Sequence, residues 1–152
     1  MEFFRRGKKI EGGEDFIKDK LNTYAYMWAL ASIFISFLLV FRIVPHLWNF
    51  FIGNQAAIET YTANGMSYEN ALYSRISLFG LSLLNIFGYV LLIRLKKAGY
   101  YLILAVALLS LFTDAFYFDG FQIGDLRNVT GFVITTALLM LSGENNSWKK
   151  LS

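Results

Sequence analysis

Four long apolar runs govern what this chain can become: about Thr23 to Val44, Ala71 to Ile93, Ala98 to Phe118 and Leu126 to Leu141. A stretch of about 20 apolar residues spans the roughly 30 Å of bilayer hydrocarbon at about 1.5 Å per helical residue. No water is present there to satisfy backbone polar groups, so only helices or closed barrels are viable. Barrel strands would read as alternating segments of about ten residues. These runs are continuous, and the pattern predicts an all-α fold: a four-helix transmembrane bundle. Its fourth span, only about 16 residues, is the shortest and leans on its neighbours.

Composition agrees. A chain of 152 residues that is 56% hydrophobic, with 15 Phe, 9 Tyr and one Pro, is too apolar for an ordinary soluble domain and suits a lipid setting with aromatic belts. The absence of cysteine excludes a disulfide framework, a thiolate nucleophile and Cys-based zinc or iron–sulfur sites. The net charge of +3 does not point to nucleic acid, because Lys and Arg lie in short clusters beside the apolar runs rather than along a stripe.

Those clusters set the expected orientation. Arg5, Arg6, Lys8, Lys9, Lys18 and Lys20 precede the first span, Arg94, Lys96 and Lys97 separate the second from the third, and Lys149 and Lys150 follow the fourth. The other side carries only Arg42, Arg75 and Arg127, and the segment 46–70 has no Lys or Arg. By the positive-inside rule both termini are cytoplasmic. The chain divides into a basic and acidic tail over 1–22, a membrane domain over 23–142, an extracytoplasmic loop over 45–70 and a cytoplasmic tail over 143–152. The first run is too long for a signal-peptide core and should stay as an anchor. After Pro45, "PHLWNFFIGNQAAIETY" suggests a short helix in the interface with Trp48, Phe50 and Phe51 among headgroups.

Charges inside the runs are the candidates for chemistry. Arg42, Arg75 and Asp114 fall at one level in their spans, where an ion is costly unless paired or hydrated. Ser110 shares a helix face with Asp114, and Ser74, Ser77, Ser82, Asn85 and Gly88 form a small, polar stripe on the second span. Two readings follow. Asp114 pairs with Arg75 or Arg42 and fixes helix register, with Asn85 bonded inside the bundle; or Arg42, Arg75, Ser77, Ser82, Asn85, Ser110 and Asp114 line an outward-facing cavity for an ion or small ligand. A proton relay would need a deeper titratable group, and the runs have none. Ala25, Ala29, Ser32 and Ser36 on the first run, and Gly131 with Thr135 on the fourth, read as close helix-packing positions.

No catalytic residue, metal site or cofactor site is expected. The single His46 lacks the partners for a zinc site or a Ser/His/Asp set, and no glycine cluster matches a phosphate loop. "GGEDF" at Gly12 to Phe16 differs from a cyclic-dinucleotide synthase signature by transposed letters and has no soluble domain around it. Phe3, Phe4, Arg5, Arg6, Lys8 and Lys9 suit contact with an anionic membrane surface, at about 1 kcal/mol per basic residue, or with a partner.

The turn "LLIRLKKAGYYLILAVALL" resembles the basic, glycine-containing hairpin of small uncharacterised bacterial four-helix membrane proteins, and "NSWKKL" resembles their basic-tryptophan tails. That resemblance implies a bacterial inner membrane and no activity. The expected function is association: an accessory, immunity-like or effector subunit, not an enzyme. The alternative is a small oligomeric channel, transporter or permeabilising protein. Expected partners are the lipid bilayer and a second copy or another membrane protein, with no nucleic acid.

Overall fold

The computed structural model describes residues 21–62, 67–117, 126–140 and 147–152. They form helices α1 (Thr23–Phe51), α2 (Gln55–Thr62), α3 (Tyr68–Ile93), α4 (Lys97–Tyr117) and α5 (Leu126–Met140), followed by a 3₁₀ turn, Ser147–Lys150, and no strand occurs among these residues. Two helices, α1 and α3, are long and apolar enough to cross a membrane. Phe3, Phe4, Arg5, Arg6, Lys8 and Lys9 lie outside the described residues.

Helix α1 does not stop before Pro45 but runs through it to Phe51. Proline at this position removes one backbone donor, and the rest of the helix carries the turn. The helix ends instead at Gly53, whose φ of 66° suits the left-handed stop; Gly53 N–H donates to Phe50 O at 3.2 Å and Asn54 N–H to Asn49 O at 3.0 Å. The separate short helix therefore begins at Gln55, not Pro45, and exposed Trp48 rides on α1.

Helix α3 packs against both α1 and α4, and α5 closes against α4 with a thinner contact to α1. The buried side of α1 is Ala25, Ala29, Ser32, Ser36, Ile43 and Phe50, so small residues bring its first half close to its neighbours. Its other side leaves Phe34, Phe37, Leu38 and Phe41 exposed. On α3 and α4 the approach is closer still. A Cβ on Gly99 would sit 2.5 Å from both Gly88 O and Leu92 N, and one on Gly88 would sit 2.9 Å from Ile103 Cγ1. Only glycine lets the two backbones meet at this depth.

One end of the molecule, the base, is tied together by polar bonds. Asn22 caps α1 by accepting from Ala25 N–H at 2.8 Å, donates its amide to Leu138 O at 2.7 Å, and donates its backbone N–H to Ser147 Oγ at 2.7 Å. The α3–α4 turn ends in the same kind of left-handed stop, with Leu95 at φ 58°. Leu95 O accepts from Ser152 N–H at 2.8 Å, and Lys97 N–H donates to Ser152 O at 2.8 Å. Over these bonds Leu21, Ala25, Ala29, Tyr89, Leu92, Tyr100, Ile103, Leu139 and Leu151 form a continuous apolar core. Trp148 packs edge-on to Tyr100 with ring centroids 4.7 Å apart.

Candidate functional site

Where α1, α3 and α5 converge, their facing sides do not fill the space between them. The cleft that remains has a volume of about 390 Å³ and is lined by Trp28, Ser32, Ile35 and Ser36 from α1, Asn85 and Tyr89 from α3, and Arg127, Asn128, Thr130 and Gly131 from α5. A narrow extension adds Leu78, Leu81 and Ser82.

Its floor is a hydrogen-bonded hub. Thr135 Oγ1 donates to Gly131 O at 2.7 Å, one turn back on α5, which commits its only proton. Trp28 Nε1 can only donate, and does so to Thr135 Oγ1 at 3.1 Å. With the threonine proton spent, the 2.9 Å contact between Tyr89 OH and Thr135 Oγ1 has tyrosine as donor. The hub thus joins all three helices, and it leaves the Tyr89 oxygen able to accept from the cleft. Tyr89 is buried, and Gly131 lies beside its hydroxyl, where a Cβ would make an ordinary contact at 3.8 Å.

The wall above the hub is amide and hydroxyl. Asn85 Nδ2 donates to Ser36 Oγ at 3.0 Å and holds α3 to α1. Ser32 and Ser82 are 8% and 6% exposed, and among the described residues neither hydroxyl has a hydrogen-bond partner. The rim is the beginning of α5. Arg127 and Asn128 stand in its first turn, beside Ser36 and Asn85 rather than at the far end of α1. From Ser36, α1 continues to Phe51, about 22 Å further at about 1.5 Å per residue.

Of the sequence-predicted cavity residues, Ser82 and Asn85 belong to this cleft. Ser77 is half-buried on α3 and is not among the lining residues; Ser110 is buried in α4 and donates to Ala107 O at 2.9 Å. Arg42 is exposed, and Arg75 is half-buried with its Nε shielded. His46 lies one turn beyond Arg42 on α1, and Arg75 on α3 is near enough to act on it electrostatically. Asp114 is part of α4, and its side chain lies outside the described residues. The polar residues therefore fall into two places, an arginine–histidine group near the far end of α1 and an amide–hydroxyl cleft nearer the base. Among the described residues no group of His, Asp and Glu is arranged to hold a metal ion.

Sequence reasoning assigned Trp28, Tyr89, Arg127, Asn128 and Thr130 no place in a cavity, and took Gly131 and Thr135 as packing positions. The available signal was the alignment of α1's small-residue stripe with a mid-helix tyrosine on α3 and a Gly-x-x-x-Thr step on α5. No family model matches this chain, and neither does any curated protein or solved structure.

Proposed function

We propose that this is a four-span membrane protein with α1, α3, α4 and α5 crossing the bilayer, both termini on the cytoplasmic side of an inner membrane, and a role in association rather than catalysis. The length and apolarity of α1 and α3 support the membrane placement. Basic residues concentrated at 94–97 and 149–150, which meet at the base, support the orientation. The observation that carries the functional reading is the seam between α1 and α5. It is a thinner contact than those α3 makes with α1 and α4, it is lined with hydroxyls and amides, and it lies beside an exposed aromatic face. Polar groups in such a seam recognise a partner that completes their hydrogen bonds.

A second reading, a cavity that holds or passes a small polar solute, is favoured by the 390 Å³ cleft itself, a size typical of small-molecule sites. Purification in mild detergent from the native membrane, with the mass of the intact assembly, separates the two. Association predicts a defined complex, with another membrane protein or a second copy, that Ser36→Leu breaks by filling the seam. A monomer that supports solute flux in proteoliposomes would replace the first reading with the second.

A further inference from the structure

The side of α1 turned away from the other helices carries a repeat of its own. Met27, Phe34, Phe41 and Trp48 recur every seven residues, and Leu30, Phe37, Val44 and Phe51 recur every seven between them. Together they step three, four, three, four without a break from Met27 to Phe51, which are the a and d positions of a heptad repeat. All eight side chains are apolar and between 41% and 73% exposed. The buried side keeps the same period, since Ala29, Ser36, Ile43 and Phe50 also stand seven apart. A straight helix drifts about 20° per heptad against such a pattern, and supercoiling around a neighbour removes the drift. The inner repeat has its neighbours in α3 and α5; the outer one has none among the described residues.

Lipid asks only that a surface be apolar, because fluid tails impose no repeat. The next two columns round the exposed side of α1 are broken, one by Ala31 and Pro45 and the other by Arg42 and Asn49, whereas the a and d columns are not. The face also outruns the tails. Helix α1 has 29 residues, about 43 Å against about 30 Å of hydrocarbon, and burying all of it would take a tilt of about 45°, beyond the 0–40° range of membrane helices. With the lysines of the base at the inner surface, the end that emerges carries Trp48 and Phe51. Eight side chains so exposed offer on the order of 1,000 Å², and a stable interface takes about 800 Å² from each partner. We propose that a second copy of this chain covers this face, α1 against α1. Copies inserted the same way round are related by a twofold axis along the membrane normal, so the two helices run parallel, with each a and d residue opposite its own counterpart. Pairing like with like tolerates no charge: the eight residues have none, and Arg42 lies about 100° round the helix from Phe41, off the seam of contact. The proposal rests on the membrane placement and the associating role given above, and it puts the second copy on the opposite side of α1 from the polar cleft.

The chain has no cysteine, so a single introduced one reports on its own position alone. Full-length Leu30→Cys, Phe37→Cys and Val44→Cys, oxidised briefly in the membranes of the expressing cells, place a thiol on the face opposite its own copy, within disulfide reach. Each should give covalent dimer at several-fold the yield of Ile35→Cys, exposed on α1 off the heptad columns, and of Leu108→Cys, exposed on α4. Three positions keep the pattern readable if one variant does not accumulate. Ser36→Leu, combined with Val44→Cys, alters the buried side of α1 and should leave the cross-linking unchanged; its loss would place the second copy in the cleft and overturn the outer face. Equal yield at all five positions means chance collision and gives the face to lipid. No dimer at any position gives it to lipid or, where the chain is recovered in a complex of another mass, to a different protein. Each of those results overturns this proposal and leaves the associating role of the cleft standing. Recovery of the chain in the soluble fraction overturns the membrane placement and this proposal with it.

Discussion

The base and the seam are built from similar residues and behave as opposites. At the base each polar group is spent: Asn22 uses its side-chain oxygen, its amide and its backbone N–H on three different segments, and Ser152 bonds on both sides of its own peptide. In the seam Ser32 and Ser82 are as enclosed as many core residues and have nothing to bond among the described residues. Hydroxyls and amides rigidify a structure where they are matched, and on the proposed reading they recognise a partner where they are not. On the proposed reading, the contrast places stability at the base and association at the seam.

That separation can be broken by substitution. The largest effect is expected for Gly99→Ala, which drives a methyl into the backbones of Gly88 and Leu92; a loss of about 3 kcal/mol follows from overpacking a site with no side chain to yield. Unfolding in mixed detergent, followed by circular dichroism, would measure it, and a near-wild-type midpoint would remove the hairpin from the stability argument. Asn22→Ala comes next, at about 2 kcal/mol, since it deletes a cap and strands the Leu138 carbonyl. Amide hydrogen exchange should then rise at the start of α1 and the end of α5 together; a rise confined to α1 would mean that Asn22 only caps. The smallest effect, and the sharpest for the comparison, is Ser32→Ala. Removing a cleft-facing hydroxyl that makes no hydrogen bond among the described residues should leave stability within about 0.5 kcal/mol of the unsubstituted protein. A clear loss of stability there would make the seam another part of the scaffold.

Much of the helical outline was legible because hydropathy reports directly on helix length: α3, α4 and α5 begin and end within three residues of the runs seen in the sequence. The stripe Ala25, Ala29, Ser32 and Ser36 was legible for a similar reason, since small residues at helical spacing mark close approach. The far end of α1 was not. Pro45 reads as a stop, but one missing donor is a small loss inside a long helix, and the stopping signal was Gly53. The terminal segment was hidden as well. "NSWKKL" reads as a basic tail, and what holds Ser147 and Leu151 in place includes hydrogen bonds from Asn22 and Leu95, more than 50 positions away, which no local pattern announces. The cleft was half legible: a polar stripe gives Ser82 and Asn85, but charge drew attention to Arg42, Arg75 and Asp114, whereas the space is made by the short α5 and the rings of Trp28 and Tyr89.

The unequal helices have a further consequence. Helix α1, with 29 residues, measures about 43 Å, and α5, with 15, about 22 Å. Set in a bilayer as proposed, these two helices are unequal in height, and lipid beside α5 would thin to meet it, at fractions of a kcal/mol per ångström. The dimple forms where α5 begins. Headgroups that would otherwise lie well above Arg127 are drawn down toward it, so the membrane's own elasticity would load the seam that the short helix leaves open.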